Sequence, residues 1–110
     1  MNIRDLQSSI DTWVQKNGGY WPELSLLARL TEEVGELARE YNHRFGSKRK
    51  KASEGEAALE DEMADVLWIL LCMANQQGID LETAFEKTME KLRVRDAGRW
   101  MGAPETGEPG

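Results

Sequence analysis

Glu32-Glu33-Val34-Gly35-Glu36 is followed, after the 25 residues 37–61, by Glu62-Met63-Ala64-Asp65. These two runs say most about how the chain folds. Residues three and four apart share a helix face, so E-E-x-x-E and E-x-x-D each point their carboxylates in roughly one direction. Around the first run, Leu26, Leu27, Leu30, Val34, Leu37, Ala38 and Tyr41 recur at helical spacing. Around the second, Leu59, Val66, Ile69 and Met73 do the same. On a helical wheel of ~100° per residue, Glu32, Glu33 and Glu36 border the apolar face of their helix. Glu62 falls in the middle of the apolar arc, with Asp65 at its edge. Charges on an apolar face are expensive to desolvate and are rarely buried without a partner.

Working outward, the rest of the chain also reads as helix, with no alternating strand pattern. Ile3, Leu6, Ile10, Trp13 and Val14 predict a first helix from about Asn2 to Lys16, ended by Asn17-Gly18-Gly19. Pro22 opens a second that runs to about Arg44. Gly46 to Gly55 is a basic connection containing Lys48, Arg49, Lys50 and Lys51. Ser53 with Glu56 forms a capping box for a third helix ending near Gln77 and Gly78. Asp80 caps a fourth, from about Leu81 to Arg95, expected to be buried through Ala84, Phe85, Met89 and Leu92. The expected fold is all-α, a four-helix bundle over residues 1–101, with 102–110 a disordered Gly-, Pro- and Glu-rich tail.

Bulk composition excludes several functions. At 110 residues the chain is one domain, and no apolar run reaches the ~18 residues of a membrane span. Its start does not resemble a signal peptide. The single cysteine, Cys72, forms no internal disulfide and suits a reducing cytoplasm. A net charge of −6 opposes nucleic-acid binding, which needs basic surface. It also makes an anionic ligand awkward unless metal ions reverse the local field.

Clustered carboxylates repel unless something positive sits among them. A hard divalent cation suits them, because it takes oxygen ligands and arrives with substrate phosphates. Blander readings exist: E-E-x-x-E is common on solvated helix faces, and Glu62 could pair with Arg29, Arg39 or Arg44. Against both stands the conjunction of two acidic pairs, each touching an apolar stripe, on consecutive helices that would pack antiparallel. The only histidine, His43, lies at the end of the second helix and neither run is Glu-x-x-His. Mg²⁺ or Mn²⁺ is therefore favoured over a transition-metal centre.

E-E-x-x-E, a gap, then E-x-x-D resembles the signature of the MazG-like, all-α nucleoside triphosphate pyrophosphohydrolases. The resemblance extends through Leu30 to Glu40, Asp65-Val66-Leu67, Ala74-Asn75, and Gly78-Ile79-Asp80-Leu81-Glu82, covering roughly residues 3 to 100. It implies a helical bundle completed by dimerisation, often as a dimer of dimers. The implied reaction is Mg²⁺-dependent cleavage of a (d)NTP between its α- and β-phosphates, giving (d)NMP and pyrophosphate, in nucleotide-pool house-cleaning. Carried over by position, Glu33, Glu36, Glu62 and Asp65 would be the metal ligands. Glu32 would support a further metal or orient the attacking water. Lys91 and Arg95 would contact phosphates, with Asn75 assisting. Thr88 departs from the family pattern, in which many members carry Asn three residues before the lysine of the last helix; this bears on substrate choice.

Trp13, Trp21, Trp68 and Trp100 are core or interface candidates, with Trp13 and Trp21 the ones placed to stack on a nucleobase. The Lys48–Lys51 segment reads as a solvated loop or a lid. Two other readings remain at this point: a phosphoribosyl-ATP pyrophosphohydrolase, and a non-catalytic helical dimerisation module.

Overall fold

The computed structural model describes residues 1–46 and 59–95. Among them the chain forms four helices and no strand: α1 (Ile3–Lys16), α2 (Glu23–Phe45), α3 (Leu59–Gln76) and α4 (Leu81–Val94). The capping box at Ser53 and Glu56, the Lys48–Lys51 segment, Trp100 and the tail from Gly102 lie outside the described residues.

Local chemistry sets the helix ends. Asn2 Oδ1 accepts from the Asp5 backbone N–H at 2.7 Å, and Asp5 returns the bond to the Asn2 N–H, a reciprocal cap on α1. Two helices end the same way. Gly18 and Gly78 take positive φ, and the next residue's N–H reaches back five positions, Gly19 to the Val14 carbonyl and Ile79 to that of Ala74. Asp80 caps α4, accepting from the Glu82 N–H.

The core joins three helices. Val14 of α1, Leu26 of α2, and Ile69 and Cys72 of α3 form one buried cluster, with Ile10, Tyr20, Leu30 and Met73 packed against it. Leu26 near the start of α2 meets residues late in α3. Gln76 near the end of α3 donates to the Trp21 carbonyl just before α2 at 2.7 Å. The two helices therefore run antiparallel. α1 is likewise antiparallel to α3, since Gln7 meets Asn75 while Val14 meets Ile69 and Cys72.

Gln7 is a buried amide that ties α1 to the turn between α3 and α4. Its Nε2 donates to Asn75 Oδ1 at 2.9 Å and to the Ile79 carbonyl at 2.8 Å, and its Oε1 accepts from the Leu81 N–H at 2.9 Å. Arg4 adds an exposed fork to Asp80 and Glu82. The helix most remote from the core departs from expectation. None of α4 is buried: Ala84, Phe85 and Met89 are exposed and Leu92 is half-buried. Periodicity marks which face of α4 is apolar, but α4 meets the chain mainly through α1, and α1 offers it polar anchors. No helix among the described residues is long and apolar enough to cross a membrane.

Candidate active site

Antiparallel packing of α2 on α3 places the two acidic runs opposite each other. One carboxylate oxygen from each of Glu33, Glu62 and Asp65 lies within 4.8 Å of the other two. Glu33 is 4% exposed, Glu62 is half-buried and Asp65 is exposed, so the cluster opens from the interhelical seam to solvent. Glu33 Oε1 and Glu62 Oε1 are both buried and lack a hydrogen-bond partner among the described residues. Buried carboxylate oxygens left in this way are costly.

The charges act on one another. Burial pushes the Glu62 carboxyl above its ordinary value, and the neighbouring charges of Glu36 and then Asp65 push it the same way. Glu36 thus reaches the cluster electrically, while Glu32 is exposed on the next position round the helix. The cation that answers Glu33 is Arg29, one turn earlier, whose Nε donates to Glu33 Oε2 at 2.6 Å. Glu62 receives no such partner among the described residues. A set made only of carboxylates, two with orphaned oxygens, fits a hard divalent cation and not a nitrogen- or sulfur-seeking one.

Beside this cluster lies a cavity of about 300 Å³ lined by Trp13, Tyr20, Trp21, Arg29, Trp68 and Cys72, among others. That volume is at the small end of the ~300–1,000 Å³ typical of ligand pockets. Trp13 meets Trp68 edge-on, with ring centroids 6.3 Å apart, and Trp21 carries the Arg29 guanidinium 6.0 Å above its ring. Both expected stacking tryptophans are therefore in one pocket. The Tyr20 hydroxyl donates to Asp11 at 2.7 Å and accepts from Asn75. Burial and then that bond to Asp11 raise its pKa to about 12, so it stays protonated. Burial raises the Cys72 thiol to about 11, which leaves it unreactive.

The remaining candidates stand further along α2 and α3 and at the end of α4. Asn75 stands ten residues beyond Asp65 on α3, ~15 Å along the axis. Both Nδ2 hydrogens are committed, to the Gln7 carbonyl and to Tyr20, and Oδ1 accepts from Gln7. Lys91 on α4 and Arg95, its C-cap, are exposed and one turn apart, and their side chains make no hydrogen bond or ion pair among the described residues. His43 is half-buried, 3.9 Å from Glu40. The sequence overlooks Gln7 and offers Arg29 only as a partner for Glu62, whereas Arg29 pairs with Glu33. Gln7 sits among Ile3, Leu6, Ile10 and Val14, a polar residue on an apolar stripe. Arg29 stands at i−4 from Glu33, the ordinary spacing of a helical ion pair.

The sequence and the fold both resemble those of known proteins. A sequence model of the MazG nucleotide pyrophosphohydrolase domain matches residues 22–100, which include both acidic runs. The chain belongs to the MazG nucleotide pyrophosphohydrolase family. It is accordingly a hydrolase of nucleotides, and the reading as a non-catalytic module is set aside. Bacillus subtilis YpjD, an uncharacterized protein, is 48% identical over 99 residues, 89% of each chain. B. subtilis YvdC, also uncharacterized, is 30% identical over 104 residues, 86% of this chain and 96% of that one. The crystal structure of B. subtilis YpjD superposes with a TM-score of 0.75 at 45% identity, covering 86% of this MazG chain and 96% of its own. That of a Bacillus-conserved MazG protein, a nucleotide pyrophosphohydrolase, gives 0.73 at 42%, covering 86% and 93%.

Proposed function

We propose that the chain hydrolyses (d)NTP between the α- and β-phosphates, giving (d)NMP and pyrophosphate, and so clears surplus or damaged nucleotides from the cytoplasmic pool. The observation that supports this most directly is the convergence of Glu33, Glu62 and Asp65 within 4.8 Å, with Glu33 Oε1 and Glu62 Oε1 unpartnered among the described residues. With Glu36 they would hold Mg²⁺ or Mn²⁺. A divalent cation there supplies charge neutralisation for a triphosphate and acidifies water.

The chain's own groups take the other tasks. Glu32, exposed beside the ligands, orients the attacking water. Lys91 and Arg95 offer unpaired cations to the departing pyrophosphate. Trp13 and Trp21 receive the base in the aromatic cavity. Asn75, saturated by Gln7 and Tyr20, acts at one remove: it fastens α1, and with it Trp13, against α3. The uncovered apolar face of α4 is proposed to meet a second copy of the chain, completing the bundle.

Pyrophosphate release from a panel of canonical and damaged (d)NTPs, with phosphoribosyl-ATP included, tests the reading. Release of (d)NMP and pyrophosphate with Mg²⁺, lost in EDTA and in Glu62→Gln, is the expected result. Turnover that persists in EDTA would overturn it. Trp21→Ala should raise KM for the nucleotide; a normal KM would remove Trp21 from the base site.

A further inference from the structure

Glu33 has two carboxylate oxygens with different fates. Oε2 is held by Arg29 Nε at 2.6 Å, and Oε1 is buried without a partner among the described residues, in the group with Glu62 and Asp65. A surface ion pair at i,i+4 adds only ~0.3–0.5 kcal/mol, and stability alone would be a thin reason for one here. This pair is not at the surface on its acidic side, because the Glu33 side chain is almost wholly buried. A guanidinium keeps its proton at any physiological pH and bonds in a fixed plane, so it restrains the carboxylate it touches. Arg29 also feels Glu32 and Glu36, so its charge serves the whole first acidic run.

The same side chain faces the other way as well. Its guanidinium carbon lies 6.0 Å above the Trp21 ring, and both residues line the aromatic cavity. Its two terminal nitrogens make no hydrogen bond among the described residues, so it is not anchored by anything except Glu33 and the ring.

We infer that Arg29 is a positioning residue that aims Glu33 at the acidic cluster and links that cluster to the aromatic pocket through Trp21. This rests on the cation-binding reading of the cluster given above. Outer partners of ligating carboxylates fix their orientation, and losing one lowers metal affinity by about 10- to 100-fold. An arginine that merely repelled the cation would do the opposite, so the sign of the change decides.

The test measures Mn²⁺ affinity by calorimetry without nucleotide, in the wild type, Arg29→Ala, Arg29→Met and Arg29→Lys. Both neutral variants should bind about tenfold or more weakly. Lysine, with its charge but no donor at the Nε position, should recover part of the loss. Met keeps the apolar stem without the Nε donor should the alanine variant fail to fold. In parallel, Mg²⁺ should change the tryptophan emission of the wild type, and that change should be lost in Arg29→Met and in Trp21→Phe. Mn²⁺ affinity equal to or tighter than wild type in the neutral variants would overturn the positioning role. An undiminished Mg²⁺-induced emission change in Arg29→Met would overturn the link to Trp21. A wild type that binds neither cation would overturn the reading of the cluster itself, and this inference with it.

Discussion

Replacing Gln7 by Ala separates scaffolding from chemistry at the α1–α3 seam. The wild-type side chain makes three hydrogen bonds, to Asn75 Oδ1, the Ile79 carbonyl and the Leu81 N–H, all part-buried and all between 2.8 and 2.9 Å. At ~1 kcal/mol net for each bond, the loss is ~3 kcal/mol. For a domain of this size that is a fall in Tm of ~12–24 °C. Asn75→Ala removes a comparable set, and because one bond is common to both residues, the double variant should fall short of additivity by ~1 kcal/mol. Thermal and urea unfolding of the two single variants and the double variant check this. Kinetics at a temperature where all are folded complete the test. If Asn75 is a fastener, its variant keeps a near-normal KM for nucleotide per folded molecule. A stable Asn75→Ala protein with a raised KM would refute the argument and return Asn75 to the phosphates.

The Glu62 carboxyl is held above its ordinary value of 4.5, first by burial and then by Glu36 and Asp65. A raised acid binds its proton more tightly in the folded state, so its cost is absent at low pH. That cost appears as pH rises past the unfolded value and is complete above the folded one. Glu62→Gln should therefore unfold at a higher temperature than wild type at pH 7 in EDTA, the advantage vanishing below pH ~4, while nucleotide hydrolysis is lost. An equal or lower Tm at pH 7 would contradict the buried-charge account. Gly35, inside α2 and between Glu33 and Glu36, has nothing within 4 Å of an added Cβ. Gly35→Ala should stabilise the chain by ~0.5–1 kcal/mol, and a destabilised variant in urea unfolding would mean that a second copy approaches there. Phe85→Glu on the exposed face of α4 should reduce the mass measured by light scattering to that of a single chain, and an unchanged assembly would place the self-contact elsewhere.

Much of the fold was legible because its signals are local. Asn2, the Gly18–Gly19 pair, Gly78 and Asp80 each mark a helix end through backbone geometry or a cap that needs no knowledge of the partner helix. The observed ends of α1, α2 and α4 fall within a residue or so of those the pattern predicts. The cover of α4 was not legible, since periodicity names an apolar face without saying which chain supplies the surface against it. Gln7 was legible in principle: a lone amide on an apolar stripe must find partners if buried. Which partners it finds depends on the α3–α4 turn, a tertiary fact.

The acidic site shows the same division more sharply. The wheel places Glu62 on an apolar face, and the structure buries its Oε1 there. What the wheel leaves open is which arginine answers which acid. Arg29 and Glu33 lie on one helix a single turn apart, so their contact forms with the helix itself and needs no further ordering. A pair from Arg29 across to Glu62 would require α2 and α3 to dock first, and would leave Glu33 buried and unanswered. The local pair prevails, so among the described residues the one arginine at the site is spent on the first acidic run. Glu62 and Asp65 then face Glu33 with more negative charge than the helices around them neutralise. That imbalance follows from the position of Arg29 on α2 more than from the number of acids, and it is the electrostatic condition under which a divalent cation is the favourable occupant.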